Sequence, residues 1–359
     1  MTSMEVDAIL KELTEASGVA GAENSAAEVA AKHIEPYVHQ IKRDLLGNLV
    51  AYKKGASRRS SRKRQKVFVS AHLDEIGLMV NEISEHGFIR FTPIGGFDPR
   101  TLWGQTVIVH GKKDLIGVIG PKSPHLVTST EIQKEMRIED MHVDVALPVE
   151  QTREIVRVGD IISIHRNLRQ MKDSSCLTGK ALDDRAGVMC LIYAASELQR
   201  LVHQADVYFV GTVQEEVGAR GAVTSTYEIM PDIGVAVDVC HGNMPGVDQE
   251  DTAELGKGPA IAVGPNIHQV LSDKLQKLAE ESRIPYVLEP SPGATPTDAR
   301  SIQVSREGVP CALLSIPLRY MHTPVEMVHA QDIYLAGSLL AYFITEVNEN
   351  FLGEVCSYE

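Results

Sequence analysis

The sequence predicts an α/β fold into which a small β-rich module is inserted, on three observations. A chain of 359 residues is longer than one hydrophobic core usually serves, so two domains, or one domain with a large insertion, are expected. From about residue 180 onward, helical patterns alternate with apolar strand patterns, as in a sheet with helices on both faces. Between about 76 and 168 the text changes to short runs, GFIRFTPIGG, QTVIVHG, LIGVIGP, HVDVALP and VGDIISIH, broken by Gly, Pro and Asp. The expected layout is therefore a discontinuous α/β domain, 1–75 and 169–359, interrupted by a β module over 76–168.

Each element has its own signal. Residues 4–14 and 23–39 place apolar residues at helical spacing, and the Ala-rich text from Ser25 to Ala31 favours helix. NLVAYKK and VFVSAHLDEIGLMV follow; the VFVSA run reads as a strand delivering His72 and Asp74 at its end. Beyond the β module the pattern predicts helix 184–204, strand 206–213, helix 219–230 and strand 233–240. It continues with helix 268–282, strands 284–289 and 311–316, and a closing helix over 330–348.

Composition excludes several classes of function. The formal charge of −13 argues against nucleic acid as the main partner, because phosphate binding needs a positive face. One stretch, KKGASRRSSRKRQK at 53–66, carries eight Lys and Arg and raises the question of an RNA or anionic contact. Its Ser/Gly content and its place between two apolar runs favour a solvated loop joining two strands. Cysteines at 176, 190, 240, 311 and 356 are odd in number and lack CxxC spacing, which disfavours both a disulfide framework and a Cys-ligated zinc site. The first residues lack a basic n-region and an apolar h-region, and nothing approaches the roughly 18 to 20 apolar residues of a membrane span. The expected location is the cytoplasm, with no membrane partner.

Charged residues collect where apolar runs end. His72 and Asp74 follow VFVSA, Asp183 and Asp184 precede the long helix, and Glu215 and Glu216 follow VYFVGTVQ. Asp238 closes IGVAVDVC, and His322 follows ALLSIPLRYM. Ligands of open α/β sheets bind beyond the carboxyl ends of the strands, so these groups would converge on one pocket. Singly, each has a plainer explanation: a structural His72, Asp183 as a helix cap, a solvated Glu215–Glu216 pair, Asp238 ending a strand. Jointly, they form a cluster of acids that needs compensating cations. Arg185 and Arg220 lie near in sequence, but a divalent pair would serve better, and carboxylates with two histidines suit zinc or cobalt, with manganese tolerated. Adjacent glutamates can divide labour, one as a ligand and the other as a general base.

In order along the chain, SAHLDEIGLMV, GKALDDRAG, VQEEVGARGA, AVDV, PTDARSIQVSREGVP and RYMHTPVEMV resemble the tetrahedral (TET) aminopeptidase family of co-catalytic di-metal exopeptidases. That family includes glutamyl and deblocking aminopeptidases, and some relatives carry an endoglucanase label. The likeness covers nearly the whole chain. It implies two divalent ions per subunit, one held by His72, Asp183 and Asp238, the other by Glu216 and His322, with Asp183 bridging. It also implies Glu215 as general base, Asp74 as the group orienting His72, and peptides with a free N-terminus as substrates. The implied architecture is a mixed-sheet α/β/α metallopeptidase domain with an inserted β-barrel-like dimerisation domain, its dimers assembling into tetrahedral homo-dodecamers. Two features depart from the family pattern: Pro296 in GATPTDA, where glycine is common, and the long basic stretch at 53–66.

Two other readings compete. A glycoside hydrolase also uses paired carboxylates, yet it usually needs aromatic platforms, and this chain has 5% aromatics and one tryptophan, Trp103. It also leaves His72 and His322 unexplained. A binding protein with a dead site would have lost a ligand or Glu215, whereas all seven positions are filled. No HExxH helix, GxxxxGK[ST] loop or GxSxG elbow is present.

Overall fold

The computed structural model describes residues 3–56, 64–127, 137–173 and 175–357. At its centre four parallel strands lie side by side, in the order Asp206–Thr212, Lys66–His72, Ile233–His241 and Cys311–Arg319. Runs such as KVFVSAH and IGVAVDVCH suit a pleat buried on both faces. Antiparallel strands flank them: Leu49–Lys53 and Gln40–Arg43 on one side, Glu326–His329, Cys176–Gly179 and Arg169–Gln170 on the other. Ala260–Val263 and Val287–Pro290 branch from Cys311–Arg319 and complete a mixed sheet of eleven strands.

Strand alternation divides the side chains between two cores. Val67, Val69, Ala71, Phe209, Val235 and Val237 join the larger one, under helices Ser3–Glu15, Asn24–Ile34, Leu182–Glu197 and Ala330–Glu346. Phe68, Val210 and Ala236 point the other way and pack against Ala222 and Ile229 of helix Arg220–Ile229 and Ala299 and Ile302 of helix Asp298–Gln303. Both faces are covered, and the four parallel strands bring their carboxyl ends to one rim.

Between residues 77 and 164 six short antiparallel strands close into a barrel: Gly77–Ile83, Ile89–Ile94, Val143–Asp144, Asp114–Ile119, Thr106–His110 and Ile161–Ile164. Closure leaves no free strand edge. The barrel has its own core, in which Leu78, Val80, Phe91, Val107, Val109, Ile119, Val143 and Ile162 are at most 2% exposed.

The fold class agrees with the sequence reading, while some element ends move. The second helix stops at Ile34 rather than 39, because Pro36 lacks the N–H to continue it and Glu35–Tyr37 tightens into a 3-10 turn. The helix expected over 184–204 ends at Glu197; the chain beyond it pairs sideways instead, the His203 carbonyl accepting from the Ala56 N–H. Of the basic stretch, residues 57–63 lie outside the described residues. Its flanks are tied into the fold: Lys53 Nζ donates to the Tyr37 carbonyl, Lys66 Nζ to that of Ile229, and Arg64 lies 3.9 Å from Asp206. Among the described residues no helix is long and apolar enough to cross a membrane.

Candidate active site

Five segments bring functional groups to the rim. His72 ends its strand, and Asp238 lies near the end of the next. Thr212 ends in register beside His72, so the loop bearing Glu215 and Glu216 leaves directly next to that imidazole. Asp183 opens helix Leu182–Glu197 after the left-handed Ala181, and a cis peptide joins it to Asp184. His322 occupies a loop with φ of +60°, a sparsely populated conformation for a residue with a Cβ, kept only where surrounding contacts hold it.

Their side chains meet. His72 Nε2 lies 3.0 Å from Asp183 Oδ1 and 4.0 Å from Asp238 Oδ1. His322 Nε2 lies 3.4 Å from Asp183 Oδ2 and 3.3 Å from Glu216 Oε1. Asp183 therefore turns one oxygen to each histidine. Ligand atoms of His72, Asp183 and Glu216 all fall within 4.8 Å of one another, as do those of His72, Asp184 and Asp238. His72, Asp183, Glu215, Glu216, Asp238 and His322 line a cavity of about 590 Å³ that is also lined by the segment from Ser291 to Thr297, Pro296 included.

Asp74 acts through different atoms than expected. His72 Nδ1 bonds the Asp74 carbonyl oxygen at 3.0 Å, while the carboxylate stands 3.7 Å away. That carboxylate accepts the Glu215 N–H on one oxygen and the Glu216 N–H on the other, both at 2.9 Å. A fully buried carboxylate needs donors, and a loop leaving a sheet has orphan N–H groups to give. Asp74 thus fixes the two glutamates directly and His72 through its backbone. With the Nδ1 proton donated to that carbonyl, Nε2 is the ring nitrogen turned to the cavity, 3.0 Å from Asp183 Oδ1.

The sequence reading passed over the roles of three acids. Glu326, buried in TPVEMV, accepts the Asp183 N–H at 3.1 Å on one oxygen and the His322 N–H at 3.0 Å on the other. Asp184 spends its oxygens on the backbone N–H groups of His72 and Gly187, whereas the Asp183 oxygens face the two histidines. Asp298, 2% exposed, accepts from Thr212 Oγ1 at 2.7 Å, and its Oδ1 has no partner among the described residues. An acid amid apolar or small residues was the available signal for Glu326 and Asp298.

Burial dominates the electrostatics. It pushes Glu215 up to about 8, opposed by His72 and reinforced by Asp298, Glu216 and Asp74. It also raises Glu216 and Asp238. Bonds to Asp183 and Glu216 push His322 up to about 11. Burial acts to raise Asp183 as well, yet His322 and His72 hold it below the usual carboxylate range. Among the described residues no lysine or arginine pairs with Asp183, Glu215, Glu216 or Asp238. Arg185 turns its Nε to the Leu73 carbonyl, and Arg220 is exposed. Carboxylate oxygens and two imidazole nitrogens facing one another without a cationic side chain are a fitting donor set for divalent cations of the zinc, cobalt or manganese kind.

The chain matches the model of the M42 glutamyl aminopeptidase family over residues 47–339. It is similar to the lysyl aminopeptidase of Pyrococcus furiosus, with 37% identity over 90% of this chain and 92% of that protein. Its structure is similar to that of an aminopeptidase from the archaeon Desulfurococcus kamchatkensis, at 36% identity, with 99% of this chain and 98% of the other covered and a TM-score of 0.89. A further likeness is to the TET1 peptidase of Pyrococcus horikoshii, which can assemble into a tetrahedron or a large octahedral shell: 29% identity, 95% and 100% coverage, TM-score 0.83. The chain therefore belongs to the M42 glutamyl aminopeptidase family and is a hydrolase of the metallo-exopeptidase kind.

Proposed function

We propose that this enzyme removes the N-terminal residue of unblocked peptides, with a cation pair at the rim and Glu215 as general base. The observation carrying this reading is the convergence of His72, Asp183, Glu216, Asp238 and His322 on one cavity, with Glu215 beside them. One cation would take His72, Asp183 and Asp238. The other would take Glu216 and His322, and Asp183 would be shared because its two oxygens face the two imidazoles. Bound there, the cations supply Lewis acidity that polarises a carbonyl and lowers the pKa of a water.

Glu215 accepts the proton of the attacking water and delivers it to the leaving amine. Burial lifts its pKa in the cation-free site, and the positive charge of bound cations would favour the ionised form that can accept a proton. Asp74 holds the backbone of both glutamates, so their side chains keep separate tasks. An acidic wall attracts the ammonium of a free N-terminus, which an acetylated peptide lacks.

For assembly, we infer a homo-oligomer, which the likeness to tetrahedral and dodecameric peptidases supports, and assign to the barrel module, 76–168, the joining of its dimers. A cytoplasmic enzyme agrees with five free cysteines. The glycoside hydrolase reading is disfavoured because no Phe, Tyr or Trp is among the described residues lining the cavity, and Trp103 packs on the barrel core.

The test is hydrolysis of free and N-acetylated aminoacyl p-nitroanilides by protein stripped of metal and resupplied with zinc, cobalt or manganese. Metal-dependent release from the free substrates alone is expected. Equal release from acetylated substrates would refute an exopeptidase that requires a free amine.

A further inference from the structure

The cavity extends past the proposed cation ligands to Glu289, which has no part in the chemistry above. Glu289 belongs to Val287–Pro290, the outer strand of the branch, and its carboxylate reaches back across Ala260–Val263 to accept a 2.6 Å hydrogen bond from Ser315 Oγ on Oε2. The crossing is open because the residues in register along it, Ala262 beside Glu289 and Ala260 beside Ser315, carry only methyl side chains. Ser315 is itself in register with Asp238 on the neighbouring parallel strand. Residues so paired face the same side at a strand spacing of about 4.8 Å. Asp238 and Glu289 thus both line the cavity, and the buried Ser315 ties Glu289 to the strand beside Asp238.

Glu289 is left without a cation. Among the described residues Oε1 has no hydrogen-bond partner, and no lysine or arginine pairs with either oxygen. Burial raises its pKa, and the Ser315 bond and the nearby His241 only partly offset that. Arg300, the one arginine of the lining, is exposed on helix Asp298–Gln303. A half-buried carboxylate aimed along a substrate cavity is stabilised when a cationic group arrives.

We propose that Glu289 determines the specificity of this site and selects peptides beginning with lysine or arginine, whose terminal cation pairs with its open oxygen. The proposal rests on the aminopeptidase reading. In that reading the scissile carbonyl lies against the cation ligands and Glu215, and the first side chain is the group that extends along the cavity toward Glu289. One strand spacing plus the reach of Glu289 suits a long side chain. A glutamate entering there would meet a like charge.

Two p-nitroanilides of equal side-chain length, lysyl and norleucyl, isolate the effect of the terminal ammonium. Metal-loaded wild-type enzyme should favour the lysyl substrate in kcat/KM by about tenfold or more. Glu289→Gln should reduce that preference by about tenfold, mainly through the lysyl substrate. A wild-type enzyme indifferent between the two overturns the proposal, whether or not the variant folds. So does a preference for lysyl that survives Glu289→Gln. Both outcomes leave the aminopeptidase reading standing, since norleucyl hydrolysis reports it separately. Silence of the metal-loaded wild type on both substrates would overturn that reading and this proposal with it.

Discussion

In the barrel, Leu78, Val80, Phe91 and Ile162 shield one another from water in a core of apolar side chains. At the rim of the large sheet, His72, Asp74, Asp183, Asp184, Asp238, Asp298 and Glu326 are all at most 7% exposed, although each can carry charge. The barrel gains stability from burial directly, whereas the rim holds groups whose burial is unfavourable until a cation or a backbone donor offsets it. What differs is the source of order: packing fixes the barrel, and hydrogen bonds to Asp74 and Glu326 fix the rim. The two regions touch at Gly95 and Gly96, where an added Cβ would lie 3.4 Å from Glu216 Oε2 and 3.1 Å from His322 Nδ1.

The largest expected effect lies wholly at the rim. Glu215→Gln should lower kcat by about a thousandfold, with cation binding by equilibrium dialysis and Tm near those of the wild type. A variant that turned over at the wild-type rate would remove Glu215 from the chemistry. In the barrel, Phe91→Ala should cost about 3–5 kcal/mol in urea unfolding, while the folded protein keeps its affinity for cations. Should the folded variant lose cations too, the two regions would not be separable. Glu326→Ala, which frees the Asp183 and His322 backbones, should weaken cation affinity by about 10- to 100-fold in competition with a chelator, with a smaller effect on unfolding. Unchanged affinity would reduce Glu326 to a packing role.

Smaller effects sharpen the contact between the regions and the electrostatic account. Gly96→Ala, which crowds His322, should weaken cation binding several-fold without lowering Tm as Phe91→Ala does. The pH dependence of the metal-stripped protein follows from Glu215, whose pKa rises from 4.5 to about 8 on folding. Between those values the folded state binds more protons than the unfolded state, so stability falls as pH rises. His322, raised from 6.5 to about 11, acts in the same direction above its unfolded value. Thermal melts of stripped protein should therefore drop in Tm from about pH 5 to pH 8. A Tm that rose over this interval would contradict the burial of these groups in their neutral or paired forms.

Much of this was legible in the sequence. The four parallel strands were visible because burial on both faces demands unbroken β-branched and aromatic runs, and the convergence of His72, Glu215 and Asp238 on one cavity was visible because they stand where such runs stop. Glu326 and Asp298 were harder to place, since strand Glu326–His329 has four residues and helix Asp298–Gln303 has six, too few for a period to show. The bond from His72 to the Asp74 carbonyl depends on backbone geometry that residue type does not encode. Glu289 reaches the cavity only through the register of three strands, and the contact of Gly96 with His322 only through the seating of the barrel.

The most direct measurement is the stoichiometry of zinc bound by metal-stripped protein, taken by equilibrium titration for the wild type and for Asp183→Ala. Two cations per chain in the wild type, with binding lost at both sites in the variant, is the result predicted by a cation pair sharing Asp183. A single cation in the wild type, or two retained by Asp183→Ala, would contradict it.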